Sequence, residues 1–265
     1  MAAPYVRSLA PALIGLLLLA GCGWGEDEVC ALSDCESWTP EPKNSIPADT
    51  LTLRWRMTGG FAGLGGPGSI PEFSLYGDGR AVAPQPGADS PVSGLAEFQL
   101  TRDALKRLLD DARAAGLGRS RTAGPEDIAD AQALEITMGE SRTRIIQPDS
   151  QPTDPAVRLW KRLQPSAWPA ADQEGPHDTY APPQIAVISG ETTSSGKLTR
   201  PWPLAPLGQG EQAAGGVCKV MSTPDSATAR KLVPDTYWQS QGKTYSVRVR
   251  PLLPDEHTCK DVARA

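Results

Sequence analysis

Only two histidines, His177 and His257, occur in the 265 residues. That scarcity counts against a histidine-built metal centre and against hydrolysis by a histidine base. No G-x-S-x-G elbow is present to hold a nucleophilic serine. Beyond residue 20, no apolar run is long enough to cross a bilayer core of ~30 Å. Basic residues are not in excess, with 26 Lys and Arg against 31 Asp and Glu, so the electrostatic footprint of a nucleic-acid binder is missing. No internal repeat is clear enough to imply a solenoid.

One apolar run is present, at the very start. A single positive side chain, Arg7, precedes about a dozen apolar residues, 9–20, interrupted by Pro11 and Gly15. This is signal-peptide length. The run ends in Leu19-Ala20-Gly21-Cys22, which resembles the bacterial lipobox. The resemblance implies a diacylglycerol on Cys22, cleavage before it, and anchoring at the extracytoplasmic face of the cell membrane. Acyl chains contribute ~0.8 kcal/mol per buried CH₂, so two or three make a stable anchor. The competing reading is an ordinary secretory peptide cut near Ala20.

The net charge is unevenly placed. Residues 1–21 carry only Arg7, so the chain beyond them is at −6, and residues 22–50 hold seven acids and one base, Lys43, which accounts for all of it. With Pro40, Pro42 and Pro47, this acidic stretch reads as an extended tether that buries no core. The remainder is neutral overall.

Five cysteines is an odd number for an exported chain, and a lipid on Cys22 makes the rest even. Four cysteines can pair in three ways. Proximity favours Cys30 with Cys35 and Cys218 with Cys259. The second bridge closes about forty residues, roughly 4 kcal/mol in the chain-entropy estimate. A metal held by Asp255, Glu256, His257 and Cys259 competes for the same C-terminal cluster, against the usual close pairing of Cys and His ligands.

In the folded part, Leu51, Leu53, Trp55 and Met57 alternate with Thr52, Arg54, Arg56 and Thr58, the pattern of a strand with one buried face. A hairpin is expected over 71–83, turning at Gly77-Asp78-Gly79, and a strand over 95–100. Thr101 caps a helix with Leu105, Leu108, Leu109 and Ala112 on one face, ending at Gly116 and Gly118. A second hairpin joins 133–138 to 142–146 across Gly139-Glu140. Asp154 caps the next helix, with Pro155 first and Ala156, Leu159, Trp160 and Leu163 on its apolar face.

The fold expected is α+β: an antiparallel sheet with two helices on one face, followed by a smaller disulfide-linked α+β lobe. In that lobe, strands are expected at 185–189 and 217–221, a short helix from Asp225 through Leu232, and a final hairpin over 236–250. The divisions are a signal peptide 1–21, a tether 22–50, an α+β domain 51–164, a Pro/Gly/Ala-rich linker 165–183 and a lobe 184–265 that touches the first.

Three segments carry a resemblance across most of this region. They are Pro71-Glu72-Phe73-Ser74-Leu75-Tyr76-Gly77-Asp78-Gly79-Arg80, Arg200-Pro201-Trp202-Pro203-Leu204 and Arg250-Pro251-Leu252-Leu253-Pro254-Asp255-Glu256. They resemble recurrent segments of uncharacterised lipoproteins of actinobacteria, the high-GC Gram-positive bacteria. That resemblance implies no activity.

Candidate chemistry is sparse. Residues 63–68 fit G-x-G-x-x-G, but a hairpin follows where a phosphate-binding helix would be needed. Ser194-Ser195-Gly196-Lys197 has Ser-x-x-Lys spacing in a loop-like stretch without its companion motifs. No cofactor is suggested. The less generic constellation is arginine: Arg54 with Arg56, Arg142 with Arg144, and Arg248 with Arg250 each stand two apart on a strand and project from one face. If Arg54, Arg56, Arg142 and Arg144 share a face, they would bind envelope phosphates or carboxylates. The plainer reading is a solvated sheet face with Glu72, Glu97 and Glu135 as cross-strand partners. Trp168 and Trp202, flanked by prolines, are either surface anchors or covers over a core edge.

The sequence thus points to a lipid-anchored envelope protein that binds an envelope protein or cell-wall polymer, with membrane contact through Cys22. The alternative is an envelope hydrolase whose site carries no familiar motif.

Overall fold

The computed structural model describes residues 46–60, 64–85, 94–165, 168–194, 196–232 and 236–264. Cys22, Cys30 and Cys35 lie outside these. Among the described residues the fold is α+β, with fourteen strands in two sheets and four helices, inside the compact unit Asn44–Ala265.

The first sheet holds β1 (Leu51–Gly59), β2 (Phe73–Tyr76), β3 (Arg80–Pro84), β4 (Leu95–Gln99), β5 (Arg121–Ala123), β6 (Gln132–Met138), β7 (Ser141–Ile146) and β8 (Asp178–Thr179). Their order is β5-β7-β6-β1-β2-β3-β4-β8, antiparallel except for β5 with β7. The period-two pattern of β1 places Leu53 and Trp55 in a core with Phe73, Leu75, Leu134, Ile136 and Ile145. Helices α1 (Arg102–Ala114) and α2 (Pro155–Arg162) cover that face with Leu109, Ala112, Val157 and Leu159. Their ends follow the expected caps. The Thr101 hydroxyl accepts from the Ala104 N–H, and the Asp154 carboxylate from the Ala156 N–H.

Within residues 165–183, expected as a linker, Trp168 and the 178–179 strand contribute to this layer. Trp168 stands edge-on to Phe73 and Phe98, with ring centres 5.8 and 6.1 Å away. Strand β8 pairs with β4.

The second sheet holds β9 (Ile185–Glu191), β10 (Thr199–Pro201), β11 (Glu211–Ala213), β12 (Gly216–Met221), β13 (Tyr237–Ser240) and β14 (Lys243–Pro251). Its order is β10-β13-β14-β9-β12-β11, and only β10 with β13 is parallel. Central strand β9 is buried on both sides. Ile185 and Val187 join Trp202, Trp238 and Tyr245 in one cluster, whereas Ala186 and Ile188 join Cys218, Leu252, Cys259 and Val262 in another. Helix α3 (Asp225–Ala229) is shorter than expected.

Helix α4 (Cys259–Arg264) was not expected from the sequence. The Cys218–Cys259 disulfide ties it to β12. Thr258 and Asp261 cap it reciprocally: Asp261 Oδ2 accepts from the Thr258 N–H at 2.9 Å, and the Asp261 N–H donates to Thr258 Oγ1 at 3.3 Å.

The two sheets meet along a seam. Tyr180 donates to the Leu252 carbonyl at 2.7 Å, and Arg248 to the Pro67 carbonyl at 2.7 Å. Tyr76, Val82, Leu95 and Leu253 form a small apolar cluster there. Gly68, at φ +71°, lies so close to the second sheet that a Cβ would sit 2.8 Å from Ala214 Cβ and 2.9 Å from Ile188 Cδ1. Its lack of a side chain lets the loop dock. The seam corrects the expectation that β1 has one buried face, because Thr52 and Arg54 on its polar side are buried as well.

Candidate functional site: arginines at the seam

Strand register decides which arginines share a face. Arg54 lies opposite Thr137 and Thr137 opposite Arg142, forming one row across β1, β6 and β7. Arg56, Glu135 and Arg144 form the next row. Alternation therefore puts Arg54, Arg56, Arg142 and Arg144 on the same face, opposite the helices.

Their environments differ. Arg54 is 7% exposed. Its Nη2 donates to Asp255 Oδ1 at 2.8 Å, and its Nε to Ser74 Oγ at 2.9 Å. Burial works against the Arg54 charge, but Asp255, Tyr76 and Glu256 together more than offset this and raise its pKa. The same Asp255 oxygen accepts from Tyr76 Oη at 2.8 Å. Burial, with Asp255 adding to it, pushes the Tyr76 hydroxyl well above its ordinary value, so it stays a donor.

Half-buried Arg56 donates through Nη2 to the Gly65 carbonyl at 2.7 Å and to Ser69 Oγ, while its buried Nε meets no acceptor among the described residues. Desolvation lowers its pKa. Arg144 pairs with Glu135 at 3.0 Å. Exposed Arg142 makes no side-chain hydrogen bond or ion pair among the described residues, and its backbone N–H donates to Ser120 Oγ at 2.9 Å.

Three of the four arginines, Arg54, Arg56 and Arg142, line one cleft of about 260 Å³. Glu135 and Thr137 share that wall, and the C-terminal segment closes it with Asp255, Asp261 and Arg264. Sequence reasoning missed Asp261 and Arg264. The signal was the Thr258-x-x-Asp261 capping box, which marks a helix start and so carries Arg264 one turn onward. Among the described residues, Arg264 is held by long contacts, 3.4 Å to Asp261 Oδ1 and 3.4 Å to the Lys260 carbonyl.

The carboxylates here are already occupied. Asp255 accepts from Arg54 and Tyr76, Glu135 from Arg144 and Thr58, and Asp261 from Thr258 and the His257 N–H. Each lining carboxylate thus has internal donors, whereas the Arg142 side chain has no acceptor among the described residues. The arginines of two other clefts are paired instead. In one of about 490 Å³ at the seam, Arg80 is bonded to Asp49. In one of about 560 Å³ between the two helices, Arg107 pairs with Asp172 and Arg162 with Asp111.

Beside the seam, Arg250 and Glu256 form an ion pair with both side chains 1% exposed. Glu256 Oε2 also accepts from the Leu253 N–H at 2.8 Å, and Arg250 Nη1 donates to the Val262 carbonyl at 3.3 Å. Burial lowers the Arg250 pKa, opposed by Glu256. The four residues considered as metal ligands are thus separately engaged. Asp255 and Glu256 face arginines, Cys259 is in the disulfide and His257 is exposed. No cluster able to hold a metal occurs among the described residues.

Trp202 packs edge-on against Trp238 at 5.3 Å and donates to the Ala205 carbonyl, so both proline-flanked tryptophans cover core edges. Ser194 and Lys197 lie outside helices and strands. No helix among the described residues is long and apolar enough to cross a membrane. No family model, curated protein or solved structure matches the chain.

Proposed function

We propose that this is a lipid-anchored protein of the extracytoplasmic face of a bacterial membrane, whose body binds an acidic envelope partner without catalysis. One observation carries the binding part: in the seam cleft, every lining carboxylate has internal donors, while Arg142 has no side-chain partner among the described residues. Such a surface gains most from a ligand that brings acceptors, because charge-assisted hydrogen bonds are about twice as strong as neutral ones. The anchoring part rests on Leu19-Ala20-Gly21-Cys22 and the acidic tether.

Retention on immobilised, purified anionic cell-wall polymer tests binding. The full chain in neutral detergent is expected to elute at clearly higher salt than the Arg142→Ser/Arg264→Ser variant. Equal retention would remove the reading. For the anchor, Cys22→Ser is expected to shift the protein out of the membrane fraction, and unchanged fractionation would contradict it.

A further inference from the structure

We infer that the seam cleft is a site for a phosphate group, either a phosphodiester or free phosphate. This rests on the acidic-ligand reading and narrows its chemistry. The argument is geometric. A carboxylate presents one planar edge with two oxygens, which one guanidinium fork satisfies. Here the guanidinium groups come from separate elements: Arg56 from β1, Arg142 from β7 and Arg264 from α4. Two thus come from one face of the first sheet and one from the C-terminal helix, so a group bearing acceptor oxygens in several directions uses more of them. A tetrahedral phosphate does this and a carboxylate does not.

Charge agrees with this. Four arginines and three carboxylates line the cleft, and Glu135 is bonded to Arg144, which lies outside the lining. The local balance is positive in a protein whose formal charge is −5. Size agrees as well, since about 260 Å³ falls below the usual span of drug-sized pockets and suits a phosphate with part of one substituent.

The site also needs both sheets. Arg56 and Arg142 belong to the first, and Arg264 is held on the second through α4 and the Cys218–Cys259 bond. A phosphate bound there bridges the two.

Thermal unfolding of the full chain in neutral detergent, at constant ionic strength, tests the proposal with three probes: inorganic phosphate, glycerophosphoglycerol and acetate. A ligand that binds only the folded state raises Tm saturably. The expected result is stabilisation by a phosphate probe and far less by acetate. Arg142→Ser should raise the apparent Kd about tenfold, as loss of a charge-assisted hydrogen bond implies. Arg102→Ser, the same charge loss at the start of α1, should leave it unchanged. Preference for glycerophosphoglycerol assigns the site to a phosphodiester, as in a lipid headgroup or polymer, and preference for inorganic phosphate assigns it to free phosphate. Equal stabilisation by acetate and phosphate would overturn the phosphate assignment and leave the acidic-ligand reading standing. Binding insensitive to Arg142→Ser, or no stabilisation by any probe, would overturn both.

Discussion

Strands β1 and β9 each sit inside a sheet, yet they are built on opposite rules. Strand β1 alternates, with Leu53 and Trp55 toward the helices and Thr52, Arg54 and Arg56 toward the seam. Strand β9 runs Ile185-Ala186-Val187-Ile188 and buries apolar side chains on both faces. Apolar contact alone can hold β9 wherever it packs. The polar face of β1 is covered too, but by matched ion pairs and hydrogen bonds. Where those matches run out, the face carries Arg142, which has no side-chain partner among the described residues and lines the cleft. Burial of charge and availability of charge thus occur within one row of a single sheet.

The comparison can be broken most strongly at the buried pair beside the seam. Glu256→Ala would leave Arg250 buried without its carboxylate, and a loss of about 3–5 kcal/mol in denaturant unfolding is expected. Removing the disulfide with Cys218→Ser/Cys259→Ser should cost about 4 kcal/mol by the chain-entropy estimate for a separation of 41 residues. That variant should also weaken anion retention, because α4 carries Arg264. In the neighbouring row, at its exposed end, the same chemistry should matter little. Arg144→Ala, which breaks an exposed pair with Glu135, is expected to cost about 0–1 kcal/mol.

A pH series sharpens the contrast further. Burial raises the Glu72 carboxyl above its ordinary range, and hydrogen bonds from backbone N–H groups, including that of Met57, only partly oppose this. The folded state therefore holds this proton more tightly than the unfolded state. The stabilisation is complete below the ordinary carboxyl pKa and is lost as pH rises through the raised one. Glu72→Gln should accordingly gain Tm relative to the parent from acid toward neutral pH, and a difference constant with pH would contradict the assignment. The smallest effect is expected for Arg142→Ser, with stability unchanged to within about 0.5 kcal/mol despite its loss of binding.

The elements legible in the sequence were those specified locally. The alternation of β1, the Gly77-Asp78-Gly79 and Gly139-Glu140 turns, and the Thr101 and Asp154 caps each declare themselves within a few residues. The strands β5, β8, β10 and β11 have only two or three residues, too few to show a period. Residues 252–257 have no period either, and their place is fixed by partners far away in the chain. Asp255 meets Tyr76 and Arg54 across 179 and 201 positions. The same limit applied to the site. Alternation placed four arginines on strand faces, but only the fold distinguished Arg54, locked against Asp255, from Arg142, which faces the cleft.

The distinction between locked and available arginines is tested most directly by side-chain ¹⁵N spectra of the full chain in neutral detergent, titrated with inorganic phosphate. Saturable shifts at the Nε groups of Arg142 and Arg264, with Arg54 and Arg250 unmoved, are the predicted result. An unmoved Arg142, or shifts no larger than those of exposed Arg102, would contradict it.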